Sequence, residues 1–166
     1  MTEVPLKFPI GNFHQVNDWL YRGAQPGEEG FAKLKELNIR TVVALRWRKW
    51  HVAREREIVT DMGINFHNLP LNYWTLPTKN DVDQFLKIVD DEKNYPVFVH
   101  CFHGADRTGV LIAMFRILRC GWTLEDAYVE MLECGHHRFA TFHFKYGLFR
   151  LAKQLVAEEK KHPQSN

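Results

Sequence analysis

The amino-acid sequence predicts an α/β fold: a central, mostly parallel sheet of about four to five strands flanked by helices on both faces. Three observations carry that expectation. Ile39–Leu45 and Val97–Val99 are short, β-branched and largely apolar without strict alternation, as strands covered on both faces are. Segments with apolar residues at helical spacing separate such runs, so strand and helix alternate along the chain. The second run leads through a tight loop into a segment, Val110 to Leu118, that is apolar almost all round, the mark of a buried helix.

Each element has its own signal. Residues 1–14, with Pro5 and Pro9, read as an irregular lead-in. Asn17 to Gly23 suggests a turn and a short strand. Pro26 followed by Glu28 and Glu29 suits the positive end of a helix, and Phe31, Leu34 and Leu37 give that helix one apolar side. Ile39–Leu45 is a buried strand. Arg46 to Arg56, dense in Arg, Lys and Trp, reads first as a solvated helix face and second as a basic, aromatic rim that recruits substrate. Ile64 to Leu69 alternates like a half-buried strand, and Pro70 to Pro77 is a proline-bounded loop. Thr78 is an N-cap for a helix striped by Val82, Phe85, Leu86 and Val89. Gly121 ends the buried helix, Thr123 caps the next with Glu125 and Asp126 in its first turn, and Gly135 breaks it. Phe142 to Lys160 forms a last amphipathic helix, and residues 161–166 a frayed tail. With no repeat, low-complexity stretch or linker, 1–166 reads as one domain.

The loop carries chemistry. Cys101 and Arg107 are five residues apart, with Gly104 midway and Thr108 next to the arginine. A loop this short, closing onto a helix start, can turn the N–H groups from Phe102, His103, Gly104, Ala105, Asp106 and Arg107 inward as an anion-binding nest. Arg107 adds a planar fork matched to two phosphate oxygens. Cys101 at the floor is set where these dipoles favour thiolate over thiol. An anion cradle with a thiolate at its base is a device for phosphoryl transfer through a phosphocysteine.

The stretch His-Cys-x-x-Gly-x-x-Arg-Thr-Gly, His100 to Gly109, resembles the active-site loop of the cysteine-dependent protein tyrosine and dual-specificity phosphatases. Tyr-Arg-Gly-Ala-Gln-Pro at 21–26 and Ile-Arg-Thr-Val-Val-Ala-Leu-Arg at 39–46 are similar to the opening half of the atypical dual-specificity phosphatases of bacteria, plants and fungi. The resemblance covers roughly residues 12 to 135, and Arg22 and Arg46, at or beyond strand ends, stand where they can face a phosphate pocket or form surface ion pairs. Thr108, on the residues and by the resemblance alike, donates its hydroxyl to the sulfur when water attacks the phosphocysteine. His100 is expected to hold the cysteine backbone and loop geometry.

The general acid is harder to place. In the resembling family it is an aspartate some thirty residues before the cysteine, and Leu69 to Pro77 holds neither Asp nor Glu. Asp106, inside the loop as in myotubularin-like lipid phosphatases, is the first candidate. Asp81 and Asp83, which also suit a helix's first turn, come next; a salt bridge orienting Arg107 is the plainer role for Asp106. The leading function is hydrolysis of phosphotyrosine, with phosphoserine and phosphothreonine, on a phosphorylated protein or peptide. The alternative is a phosphoinositide or inositol phosphate substrate, with an inactive phospho-binding module and rhodanese-type sulfur transfer behind it.

A formal charge of +2 is too near neutral to argue for nucleic acid. The three cysteines, Cys101, Cys120 and Cys134, have no metal spacing, and Cys120 and Cys134 read as core residues at helix ends. No metal and no cofactor are expected. No stretch is apolar enough for membrane insertion, and Met1 to Gly11 lacks a signal-peptide plan. The chain is therefore expected to be a monomer of the cytoplasm, with a periplasmic or secreted location the alternative if a leader was removed. His136, His137 and Arg138 form a polar cluster, read as a solvent-exposed turn or a pocket rim.

Overall fold

A computed structural model describes residues 8–136 and 141–161. Its sheet has five strands in the order β1 (His14–Gln15), β2 (Leu20–Gly23), β5 (Val97–His100), β3 (Thr41–Ala44), β4 (Asn65–Asn68). Only the β1–β2 pair is antiparallel. In register, Gly23 and Ala44 both stand opposite His100 of the central strand, so the chain leaves β2, β3 and β5 at the same edge of the sheet. In open α/β sheets that carboxyl edge is where ligands bind.

Alternation along the strands divides the core in two. Val42, Ala44, Phe66 and Phe98 pack against α1 (Glu28–Glu36) and α2 (Lys49–Asp61). Val43, Leu45, Val97 and Val99 pack on the other face, against α3 (Lys79–Val89), α4 (Asp106–Cys120), α5 (Leu124–Glu133) and α6 (Phe142–Lys161). The expected α/β sandwich is thus present, with helices on both faces. A 3-10 turn, Glu92–Asn94, precedes β5.

α4 is the inner helix, buried continuously from Asp106 to Phe115 and ended by Gly121 in the left-handed region at φ 69°. Gly109 lets α5 approach it: a Cβ there would lie 2.7 Å from Met131 Cγ. Thr78 caps α3 as its sequence suggests, in a reciprocal box with Asp81. Two readings need correction. The Arg46–Arg56 stretch is not one helix face, because α2 begins only at Lys49 and Arg46 is buried in the turn before it. Cys120 is exposed rather than in the core, since the last turn of α4 emerges from the protein; Cys134 is buried.

Candidate active site

Cys101 follows the last residue of β5 and is 2% exposed. Between it and α4 the chain turns tightly, and each carbonyl on the way has a hydrogen-bond partner. His100 O accepts from Leu45 N at 2.8 Å and Phe102 O from Gln25 N at 3.2 Å. His103 O accepts from Asn12 Nδ2 at 3.2 Å, and Asn12 also reaches Cys134 O at 2.8 Å. Gly104 O accepts from Arg22 Nη2 at 2.8 Å, and Ala105 O from Gly109 N at 2.9 Å with a longer Arg22 contact at 3.5 Å. Among the described residues, the N–H groups of Phe102, His103, Gly104 and Ala105 meet no protein acceptor. A loop with its carbonyls spoken for and its N–H groups free is built to receive an anion.

Gly104 makes the turn possible. Its φ is +69°, and a Cβ would sit 2.3 Å from the carbonyl carbon and oxygen of Gly23. Both facts exclude a side chain.

His100 secures the start of the loop. Its ring is fully buried between two acceptors, with Nδ1 3.0 Å from the Cys101 carbonyl oxygen and Nε2 2.6 Å from Glu55 Oε1. Glu55 Oε2 in turn accepts from Gln25 Nε2 at 3.3 Å, and Gln25 Oε1 accepts from Arg46 Nη1. The Arg46 guanidinium then stacks over the Phe102 ring, 4.8 Å from its centroid. A polar chain therefore runs from the backbone of Cys101 through α2 and back to the mouth of the loop.

Asp106 secures the other end. Its Oδ1 accepts from His136 Nδ1 at 2.6 Å and Thr141 Oγ1 at 2.7 Å. Burial alone would push this carboxyl up, but the His136 and Thr141 hydrogen bonds outweigh it and hold the group below its ordinary value. Asp106 is therefore a carboxylate at neutral pH. Thr108 is fully buried, and its Oγ1 has no hydrogen-bond partner among the described residues.

Outside the loop lies a cleft of about 370 Å³ lined by Arg46, Trp47, Arg48, His51, Tyr73, Trp74, Phe102, His103 and Arg107. Arg107 is held by Leu71 O at 3.2 Å and lies 5.8 Å from the Tyr73 ring centroid. Slight burial and then the Arg46 and Arg48 charges hold the His51 imidazole below its ordinary value, a sign of the positive field there. Among the described residues, basic and aromatic groups form this wall and no carboxylate does.

The cleft thus brings Arg107, His103, Phe102 and Arg46 to one place, with Cys101 buried at the start of the same loop. Arg22 lies beneath the loop instead of facing the cleft. Asp81 accepts from Thr78 N and Oγ1, both at 2.7 Å, and Asp83 pairs with Lys79 at 2.7 Å; neither lines the cleft. His136 is buried rather than exposed, while His137 and Arg138 fall outside the described residues. Gln25, Asn12 and Glu55 escaped the sequence reading. Only Glu55 had a signal: it shares the buried stripe of Val52 and Val59 on α2, an odd place for a carboxylate without a partner.

A thiol under free N–H groups, closed by an arginine at a helix start, defines the class of cysteine-dependent phosphatases. Comparison narrows the class. The family model described as "DSP-PTPase phosphatase fused to NAD+ Kinase" matches residues 10–145, and the chain belongs to that family. It is 32% identical over 134 residues to the dual specificity protein phosphatase TpbA of Pseudomonas aeruginosa, covering 76% of this chain and 56% of that protein. It is 29% identical over 126 residues to the inositol diphosphatase DSP3 of Arabidopsis thaliana, covering 74% and 61%. The chain therefore spans under two thirds of the length of these curated relatives. In fold it is similar to the core catalytic domain of the PP-IP phosphatase SIW14 from S. cerevisiae, with a TM-score of 0.70, 21% identity, and 89% and 94% of the two chains covered. Among the described residues, no helix is long and apolar enough to cross a membrane.

Proposed function

We propose that this chain hydrolyses phosphate monoesters through a phosphocysteine, as a protein tyrosine and dual-specificity phosphatase. The observation that carries the reading is the loop itself: outward-bound carbonyls and free N–H groups above a buried cysteine. Cys101 Sγ attacks phosphorus in line, the S–P bond forms as the P–O bond to the leaving group breaks, and the N–H groups with Arg107 hold the three equatorial oxygens. Water then attacks phosphorus and the S–P bond breaks. The unpartnered hydroxyl of Thr108 is available to donate to the departing sulfur.

Asp106 serves this reaction as an anchor of the loop rather than as the acid. Its carboxyl is ionised and both hydrogen bonds converge on one oxygen. A cleft walled by cations, with no carboxylate among the described residues that line it, favours leaving groups that depart as anions. That also supports a second reading, an inositol phosphate bearing a diphosphate. Its leaving phosphate has a final pKa of about 6, against about 10 for tyrosine. The relative named as an inositol diphosphatase points the same way.

A substrate panel tests both readings. Phosphotyrosyl peptide turnover at least about a hundredfold above that of inositol phosphates, a gap of roughly 2.7 kcal/mol in barrier, upholds the first; the reverse ratio upholds the second. Absence of release from every phosphate ester would sink both.

A further inference from the structure

Among the described residues, Arg22 is a buried charge without a counter-ion. It stands on β2 opposite Val99 of β5 and is 1% exposed. Its guanidinium offers five donors, yet among the described residues it meets only Gly104 O and, at longer range, Ala105 O. Nε and Nη1 are buried with no partner. The carboxylate whose charge reaches it, Glu130, gives its oxygens to Arg116 at 2.6 to 3.2 Å. The other groups that respond to its charge from the acidic side are two thiols, Cys134 and Cys101.

An unpaired buried cation is costly, and its position tells what it does. In a planar trans peptide the carbonyl of one residue and the N–H of the next point to opposite sides. Drawing Gly104 O and Ala105 O down toward β2 therefore turns the N–H groups of Ala105 and Asp106 up into the cradle. Gly104 rests directly on the Gly23 backbone, so the segment that carries Arg22 is the floor on which the loop is seated.

We propose that Arg22 is a positioning residue of the phosphate site, fixing the peptide planes of Gly104 and Ala105 from beneath, with its charge balanced by the anion the loop holds. Arg107 grips phosphate oxygens from the cleft; Arg22 acts through the backbone and never touches substrate. The inference rests on the phosphatase reading above.

The test compares the full chain with its Arg22→Met and Arg22→Lys variants, using an activated aryl phosphate for turnover and tungstate for binding by calorimetry. Thermal unfolding reports folding. Arg22→Met is expected to lose about a hundredfold in kcat/KM and about tenfold in tungstate affinity. Arg22→Lys keeps the charge but not the planar fork: tungstate affinity stays within about threefold while kcat falls about tenfold. A role confined to packing would lower the unfolding temperature and leave affinity and kcat/KM unchanged, so a folded Arg22→Met equal to wild type within about threefold overturns the proposal. Should Arg22→Met not fold, an Arg22→Lys variant with wild-type kcat overturns it instead. If wild-type protein neither binds tungstate nor turns over aryl phosphate, it is the phosphatase reading that fails.

Discussion

The two ends of the catalytic loop are clamped by the same chemistry in different settings. At the strand end, His100 and Glu55 meet at 2.6 Å, with 0% and 2% of their side chains exposed. At the helix end, His136 and Asp106 meet at the same distance, but the carboxylate is 12% exposed. The first pair reaches across to α2 on one face of the sheet; the second ties the start of α4 to the segment after α5 on the other. The first continues through Gln25 to Arg46 at the cleft wall, and the second takes in Thr141. The loop is therefore pinned from both sides of the sheet, and the strand-end clamp is wired through Gln25 to the cleft.

Cutting the middle of the loop should have the largest effect, because neither clamp can repair it. Gly104→Ala faces both a positive φ and a backbone 2.3 Å from its new Cβ. Aryl phosphate turnover should fall by about a hundredfold or more, as misplaced catalytic groups do, while both histidine pairs persist in the fold. Wild-type turnover would show that the loop does not depend on this contact with β2.

Breaking the deeper clamp comes next. Glu55→Ala strands His100 in the core, and urea unfolding should show a loss of about 3–5 kcal/mol. Glu55→Gln, which keeps the shape, should lose less and raise KM through the Gln25–Arg46 connection.

The helix-end clamp should cost less. Asp106→Asn should lose about 1–3 kcal/mol, and its rates on aryl phosphate and on phosphotyrosyl peptide should fall together. Loss of the peptide rate alone, with the basic limb of the pH profile, would make Asp106 the acid after all. The pH dependence has a definite sign. A carboxyl whose folded pKa is depressed stabilises fully above its ordinary value, about 3.9, and the contribution disappears as pH falls through the lower folded value. The stability gap between wild type and Asp106→Asn should therefore be constant near neutrality and close below about pH 4.

The smallest effect sharpens the asymmetry between the clamps. Gln25→Met cuts the wire and leaves both pairs intact, so KM should rise about threefold, with stability changed by less than about 1 kcal/mol.

These contrasts also explain what the sequence could show. β3 and β5 were legible because both faces are covered and the residues are mostly apolar; the Val110–Phe115 stretch of α4 was legible for the same reason. Cys101, Gly104 and Arg107 announced themselves by spacing, since a loop too short to wander must place them together. Arg46 was legible in part. Its place just beyond a strand end let it face a phosphate pocket, and it does line the cleft, but its burial follows from where β3 ends against β5, a matter of register that composition does not encode. Asp106 was legible only in part: it lies in the loop, where chemistry is expected, and its side chain turns toward His136 and Thr141, 30 and 35 residues later, which spacing does not announce. Arg22 sat in a motif whose apolar neighbours gave no hint that a charge would be buried among them.

The most direct test is to trap the intermediate. Rapid acid quenching of wild-type protein with an aryl phosphate, followed by peptide mass analysis, should place a phosphoryl group on Cys101, and Cys101→Ser should bind tungstate yet release no phosphate. Label on another residue, or undiminished turnover by Cys101→Ser, would contradict the phosphocysteine account.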